Sequence, residues 1–306
     1  MANAKKTIIG YLVGLFLLFG LFFYIGIGKV VGALSQFQVI YLLPVIVLFL
    51  SVLCLSALNL KIMYSPLANI PYFVLLKKYI VSWSLGTVLP SRAGEFSLAY
   101  FLREKIPIGK STAILVLDKL VSLAVFSFFS VLGMFYFFGF KEAFQLFLVL
   151  AVLGLLIIFF ILSEKTRNLL KKTIFSRIKQ HFTGFSKTVN KYLKNEKKTI
   201  FANFSFTLLR LFLQAALFFF VFLGFGETVN LLLLICVISV VTILGLLPVA
   251  PNGLGVRQVS LVFFMDLLGI SAAKTASVSI VLFIINYGFV LTVIGTKMLN
   301  ERNKRL

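Results

Sequence analysis

From Ile8 to Thr296 the chain is a succession of apolar runs, several of about twenty residues or more, and two of them stop at proline–glycine breaks that carry charge. The first break is Leu89-Pro90-Ser91-Arg92-Ala93-Gly94-Glu95. The second is Leu247-Pro248-Val249-Ala250-Pro251-Asn252-Gly253-Leu254-Gly255-Val256-Arg257-Gln258. A helix of about 20 apolar residues spans a bilayer, so the runs dictate a membrane-embedded helical chain. The breaks constrain it further. A backbone that leaves the helical path exposes N–H and C=O groups that lipid cannot satisfy, so each break must sit in protein or line water. An ionisable residue at such a place is a functional-site candidate.

Composition excludes the alternatives. The chain is 60% hydrophobic and 13% charged, against about 45–50% apolar and about 25% charged for a soluble domain. Thirty Lys/Arg oppose nine Asp/Glu, for a net charge of +21. In a membrane chain that excess belongs to cytoplasmic loops and anionic-lipid contact, and nucleic acid is not an expected partner. Cys54 and Cys236 stand singly in separate apolar runs, and His181 is the one histidine. Neither a disulfide framework nor a metal ligand set is indicated. No phosphate-binding GxxxxGK[ST] loop is present, and nothing fixes the spacing of Glu95 and Asp118 as an acid–base pair. We therefore expect no catalytic residue, metal or cofactor, and transporter-like behaviour rather than enzymatic activity. Glu95 and Asp118 equally suit coupling of transport to protons.

Lys5 and Lys6 place the N-terminus in the cytoplasm. A glycine-spaced first helix, Ile8–Ile27, should pack closely through its small residues. A second helix runs from about Val39 to Leu60. Tyr72 to Lys110 holds the first break between two pieces too short to cross, and reads as a re-entrant hairpin entering from the cytoplasm. Crossings follow at Ser111–Phe140, with Asp118 and Lys119 near its start, and at Ala143–Leu162. Glu164 to Lys198 carries eleven Lys/Arg and two Glu. Its apolar residues recur at Leu170, Ile174, Ile178, Phe182, Phe185, Val189 and Leu193, the pattern of a basic amphipathic helix. Such a helix lies either in an anionic leaflet's interface or on the protein's own cytoplasmic side. Thr199–Gly224 carries Arg210, and Ala276–Thr296 ends in a basic tail. Six crossings return that tail to the cytoplasm only if Leu231–Leu268 is a second hairpin, entering from the outside.

The expected architecture is thus an all-α polytopic membrane protein with about six transmembrane helices and two oppositely inserted re-entrant helical hairpins in an inverted repeat. It forms a single integral membrane domain over 1–306, with a first repeat at about 39–140, the basic loop at 163–198 and a second repeat at about 199–298. Aligning Glu95 with Gln258 matches Ser97-Leu98 to Ser260-Leu261, Phe101 to Phe264 and Thr112-Ala113 to Thr275-Ala276 without a gap. Inverted repeats of this kind place their sites near the midplane. The candidate substrate-binding residues are Arg92, Glu95, Asp118, Lys119, Arg210, Arg257 and Gln258. Internal pairs such as Arg92–Glu95 or Asp118–Arg210 are expected among them. The structural breaks are Pro90, Gly94, Pro248, Pro251, Gly253 and Gly255. Arginine forks and helix N-termini bind phosphate, so a cationic polar cavity here suits an anionic lipid head group.

At the two signatures, with Asp118-Lys119 after the first, the chain resembles the flippase-like family named for the transmembrane region of lysylphosphatidylglycerol synthase. The resemblance covers nearly the whole chain. The family's second signature usually reads P-G-G-L-G with a following glutamate; here Asn252 stands for a glycine and Gln258 for the acid. The resemblance implies a multi-pass cell-membrane protein with both termini cytoplasmic. It would translocate an anionic phospholipid or a polyprenyl-phosphate-linked lipid. The alternative is a membrane-embedded enzyme or accessory subunit in lipid modification or lipid-linked sugar chemistry. Larger relatives attach a soluble transferase domain. This sequence carries none, so their aminoacylating activity is not implied. Partners in keeping with this reading are membrane lipids, a second copy of the chain or a separate lipid-modifying enzyme.

Overall fold

The computed structural model describes residues 2–162, 184–247 and 250–303. They form twelve α-helices and, among the described residues, no strand. These are α1 (Ala2–Ile25), α2 (Ile27–Leu34), α3 (Leu42–Tyr64), α4 (Tyr72–Val88), α5 (Ser97–Phe101), α6 (Ile108–Phe138), α7 (Phe140–Leu162), α8 (Phe185–Asn195), α9 (Lys197–Gly224), α10 (Leu231–Leu244), α11 (Val256–Asp266) and α12 (Ala272–Asn303). Among the described residues, the spans Val39–Tyr64, Ile108–Phe138, Lys197–Gly224 and Ala272–Thr296 are each long and apolar enough to cross a membrane. The bent pair α1–α2 makes a fifth if counted as one span. The protein is an all-α polytopic membrane protein.

The helices pack as two compact units. One comprises residues 1–54, 79–95 and 210–306; the other comprises residues 55–78 and 96–209.

In the first unit, α1 ends at Ile25, two residues short of the end the sequence suggests for the first helix, and Ile27 already begins α2. The chain then turns by 86° into α2. The turn is at Gly26, whose φ of 95° costs a glycine little. Past it, Ser277 Oγ of α12 donates to Val30 O at 3.1 Å. Ile25, Val30, Val262 and Ala276 form a buried cluster there, flanked by Leu21, Phe22 and Ile280. The small-residue expectation for α1 is met at Gly14, where an added Cβ would stand 3.0 Å from Ala250 Cβ and 3.1 Å from Leu254 O. Gly20 and Gly28 meet nothing. Phe49, Trp83 and Phe289 tie α3, α4 and α12 together edge to face, with ring centroids 5.3–6.0 Å apart. The outward faces of α1 carry Phe16, Phe19, Phe23 and Tyr24, as an element bathed in lipid should.

In the second unit, α6 and α7 form a hairpin about Gly139, whose φ is also 95°. Buried Leu98, Leu102 and Ile106 lie in the α5–α6 segment, and Ile114 and Leu115 begin α6. Tyr64 Oη pairs with Ser111 Oγ at 2.7 Å. Most of the expected amphipathic helix, residues 163–183, lies outside the described residues. Its end is α8, and α8 packs on the protein: Thr188, Val189 and Tyr192 are buried, Tyr192 Oη donates to Met63 O, and Lys191 Nζ donates to Pro66 O at 3.2 Å. For this part, the protein's own surface takes the apolar face.

Candidate functional site

Both breaks expected from the sequence interrupt helices. The first separates α4 from α5 through a tight turn over Pro90–Phe96. The second separates α10 from α11; Pro248 lies outside the described residues, and Pro251–Gly253 forms a short turn. In each half, a glycine at the end of the leading helix is paired with a break glycine eight residues on: Gly86 with Gly94, and Gly245 with Gly253. A Cβ on Gly94 would lie 2.2 Å from Leu85 C and 2.4 Å from Gly86 N; one on Gly253 would lie 2.8 Å from Gly245 Cα. Each break therefore folds back onto backbone that only glycine leaves open. The space above each helix glycine holds the stem of an ionisable side chain. Glu95 Cγ is 2.5 Å from a Cβ built on Gly86, and Arg257 Nε is 2.4 Å from one built on Gly245.

The orphan backbone groups at the breaks find partners within the unit, as a break at membrane depth requires. Tyr11 Oη of α1 donates to Val88 O at the end of α4. Gln258 Oε1 accepts from Gly255 N at 2.9 Å and caps α11. This gives Gln258, proposed from sequence as a substrate contact, a backbone-holding role. Gly255, with φ 78°, sits where its Cβ would meet Gly14 O of α1 at 2.6 Å.

The charged groups meet between the two breaks. Arg92 and Asn252 are the non-glycine residues with positive φ among those described, both at 53°. Asparagine tolerates this region; arginine there is strained by about 1–3 kcal/mol and is kept only where surroundings hold it. Those surroundings are specific: Arg92 Nε donates to Asn252 Oδ1 at 3.0 Å, and its Nη1 lies 3.4 Å from Glu95 Oε1. Glu95 is buried, with 9% of its side chain exposed, while Arg92 is 41% exposed. The expected Arg92–Glu95 pair therefore forms. Tyr287 of α12 hydrogen-bonds with the Asn252 side chain, and Arg257 is within electrostatic reach of Arg92, Glu95 and Tyr287. Arg257 Nε is buried and has no hydrogen-bond partner among the described residues. Two guanidinium groups thus stand near one carboxylate, which is ion-paired to Arg92, and Arg257 lies in the first turn of α11, where the helix dipole already favours an anion. Asn252 and Tyr287 escaped notice in the sequence as site residues, because one departs from the family pattern and the other is an aromatic residue in an apolar run.

Asp118 and Lys119 lie on α6 in the second unit. Asp118 is 3% exposed, and its Oδ1 accepts from Asn59 Nδ2 at 3.0 Å and Asn203 Nδ2 at 2.9 Å. Asn203 Nδ2 is also 3.1 Å from Asn59 Oδ1. The sequence reading picked out the carboxylate and missed both asparagines, which look like isolated amides in long apolar helices. Arg210 lies on α9, half-buried.

Helices of spanning length, with charged residues held at helix breaks, define a polytopic membrane protein of the broken-helix kind. The chain belongs to the family described as the lysylphosphatidylglycerol synthase TM region, which it matches over residues 7–295. It is accordingly a membrane protein linked to lipid handling. No curated protein matches it.

Proposed function

We propose that the protein is a lipid translocator of the flippase kind, taking the anionic head group of a phospholipid or polyprenyl-phosphate-linked lipid at the two breaks. The observation that carries this reading is the charge imbalance there. Glu95 pairs with Arg92, a second guanidinium, Arg257, stands within its electrostatic reach, and the buried Arg257 Nε lacks a partner among the described residues. Planar guanidinium groups donate to phosphate in bidentate fashion. A phosphate at the start of α11 would also receive the favour of the helix dipole. The paired glycines that fold each break back on its own helix support an internal repeat. The positive-inside rule, applied to Lys5, Lys6, the basic loop and the tail, orients both termini to the cytoplasm of the cell membrane and gives the repeat its inverted sense. Asp118, Lys119 and Arg210 complete the proposed substrate-handling set.

The test is reconstitution into vesicles carrying head-group-labelled lipids, with outer-leaflet label quenched chemically. Movement should exceed that of empty vesicles for phosphate-bearing lipids. Arg257→Gln should slow it by about tenfold or more, the scale of one hydrogen bond to a charged group. Equal movement in empty vesicles, or no change in the Arg92→Gln/Arg257→Gln double variant, would refute the proposal.

A further inference from the structure

The second unit holds a polar cluster of which the head-group reading names Asp118 alone. Three helices each bring two small polar residues about one turn apart: Ser56 and Asn59 on α3, Asp118 and Ser122 on α6, and Asn203 and Thr207 on α9. All six are less than 8% exposed. Residues three or four apart share a helix face, so each pair forms a short polar stripe. At the centre is a carboxylate that, among the described residues, has no basic side chain within ion-pair distance and takes its hydrogen bonds from the two amides. Asn203 Oδ1 and Thr207 Oγ1 are fully buried and, among the described residues, have no hydrogen-bond partner. A buried anion without a countercharge is costly, and so is each orphaned polar atom.

We infer that Asp118, Asn59, Asn203 and Thr207 form a binding site for a dehydrated monovalent cation of the sodium class. The geometry converts to one by a simple motion. A half-turn of both amides about χ2 exchanges their oxygens for their nitrogens. Two amide oxygens then stand at the positions now 3.0 and 2.9 Å from Asp118 Oδ1. The Asn59–Asn203 hydrogen bond at 3.1 Å survives with donor and acceptor exchanged. Both amide oxygens then lie within about 3 Å of the charged Asp118 oxygen, an arrangement that hard cations stabilise. Thr207, one turn beyond Asn203, supplies a fourth oxygen from the same face of α9. The cation neutralises Asp118. Transporters commonly couple substrate movement to such ions near the midplane, but the binding inferred here stands without the lipid reading.

The probe is sodium itself. The full chain in phospholipid nanodiscs is compared in NaCl and in choline chloride of equal ionic strength, by thermal melting and by retention of radioactive sodium. Wild type should melt higher in NaCl, saturably, and retain about one ion per chain. Asp118→Asn keeps the shape and should lose at least tenfold in sodium affinity, the ligand carrying the charge having gone. Thr207→Val should weaken binding less. Identical melting in the two salts with no retained sodium in wild type would overturn the inference and leave a structural polar network. An undiminished sodium effect in Asp118→Asn, or a stabilisation that follows pH alone and ignores sodium, would overturn it too. The binding measurement needs no lipid movement, so its outcome is separate from that of the translocation test.

Discussion

Gly94→Ala tests the packing of the first break most sharply, because its neighbours are backbone. A methyl group there would stand 2.2 Å from Leu85 C and 2.4 Å from both Leu85 O and Gly86 N. None of these atoms belongs to a side chain that can swing aside, so the break must lift off the end of α4. Overpacking of this sort costs about 1–3 kcal/mol, and a rigid backbone neighbour sets it at the upper end or beyond. At about 2–4 °C per kcal/mol for a chain of this order of size, the melting midpoint should fall by about 10 °C. Gly86→Ala is the graded comparison. Its methyl meets Glu95 Cγ at 2.5 Å, a flexible stem, but also Glu95 N at 3.1 Å, so a smaller loss is expected, together with displacement of the carboxylate from Arg92. Gly20→Ala is the counter-case. It lies in α1 with nothing within 4 Å, and relief of glycine's entropy should raise stability by about 0.5–1 kcal/mol. Melting of the three variants in one detergent, followed by fluorescence-detected size exclusion, checks the series. A Gly94→Ala midpoint at or above that of Gly20→Ala would refute the account of how the break is seated.

Asn252→Gly relieves the left-handed backbone but removes the acceptor for Arg92 Nε at 3.0 Å. Its midpoint should change by less than that of Asn252→Val, which adds branched-side-chain strain to the same loss, and melting of the two variants measures the difference. Burial, and secondarily the charge of Glu196, pushes the Tyr192 hydroxyl well above the usual tyrosine range. The group is then neutral when folded and donates to Met63 O. Its contribution is complete below the unfolded tyrosine value of about 10 and fades as pH rises above it. Tyr192→Phe should cost about 0.5–1.5 kcal/mol at neutral pH. The gap from wild type should narrow above about pH 10, as read from melting across pH. Lys274 Nζ and Glu227 Oε1 lie 2.6 Å apart but are partly exposed. Lys274→Gln should therefore shift melting by no more than about 1 kcal/mol, and by less in high salt.

The breaks were legible in the sequence because proline and glycine inside an apolar run leave the backbone few choices, and a charge among them has fewer. Arg92 with Glu95 followed from the cost of an unpaired charge. The turn at Gly26 was hidden, since Ile25 and Ile27 continue the apolar run and α1 has several glycines that turn nothing. The glycine pairs were hidden for a similar reason. Gly86 and Gly245 look like ordinary residues at helix ends, and their partners become visible only once the chain has folded back. Asn59 and Asn203 show a third limit: a polar residue in a long apolar helix is conspicuous, but the sequence does not say which other helix shares its face. Periodicity found the amphipathic end of the basic loop, but could not choose between lipid and protein. The buried Tyr192 decides for α8, because its hydroxyl finds a carbonyl of the chain itself.

The fit of Gly14 against Ala250 and Leu254 bears on biogenesis. Helix α1 leaves the ribosome well before the surface that receives it, which is made more than two hundred residues later. In that interval this notch faces lipid, or whatever insertion factor attends the nascent chain. A bulkier residue at position 14 should therefore trouble the later docking of the second break rather than the insertion of α1, leaving a chain threaded through the bilayer but unlatched at that turn.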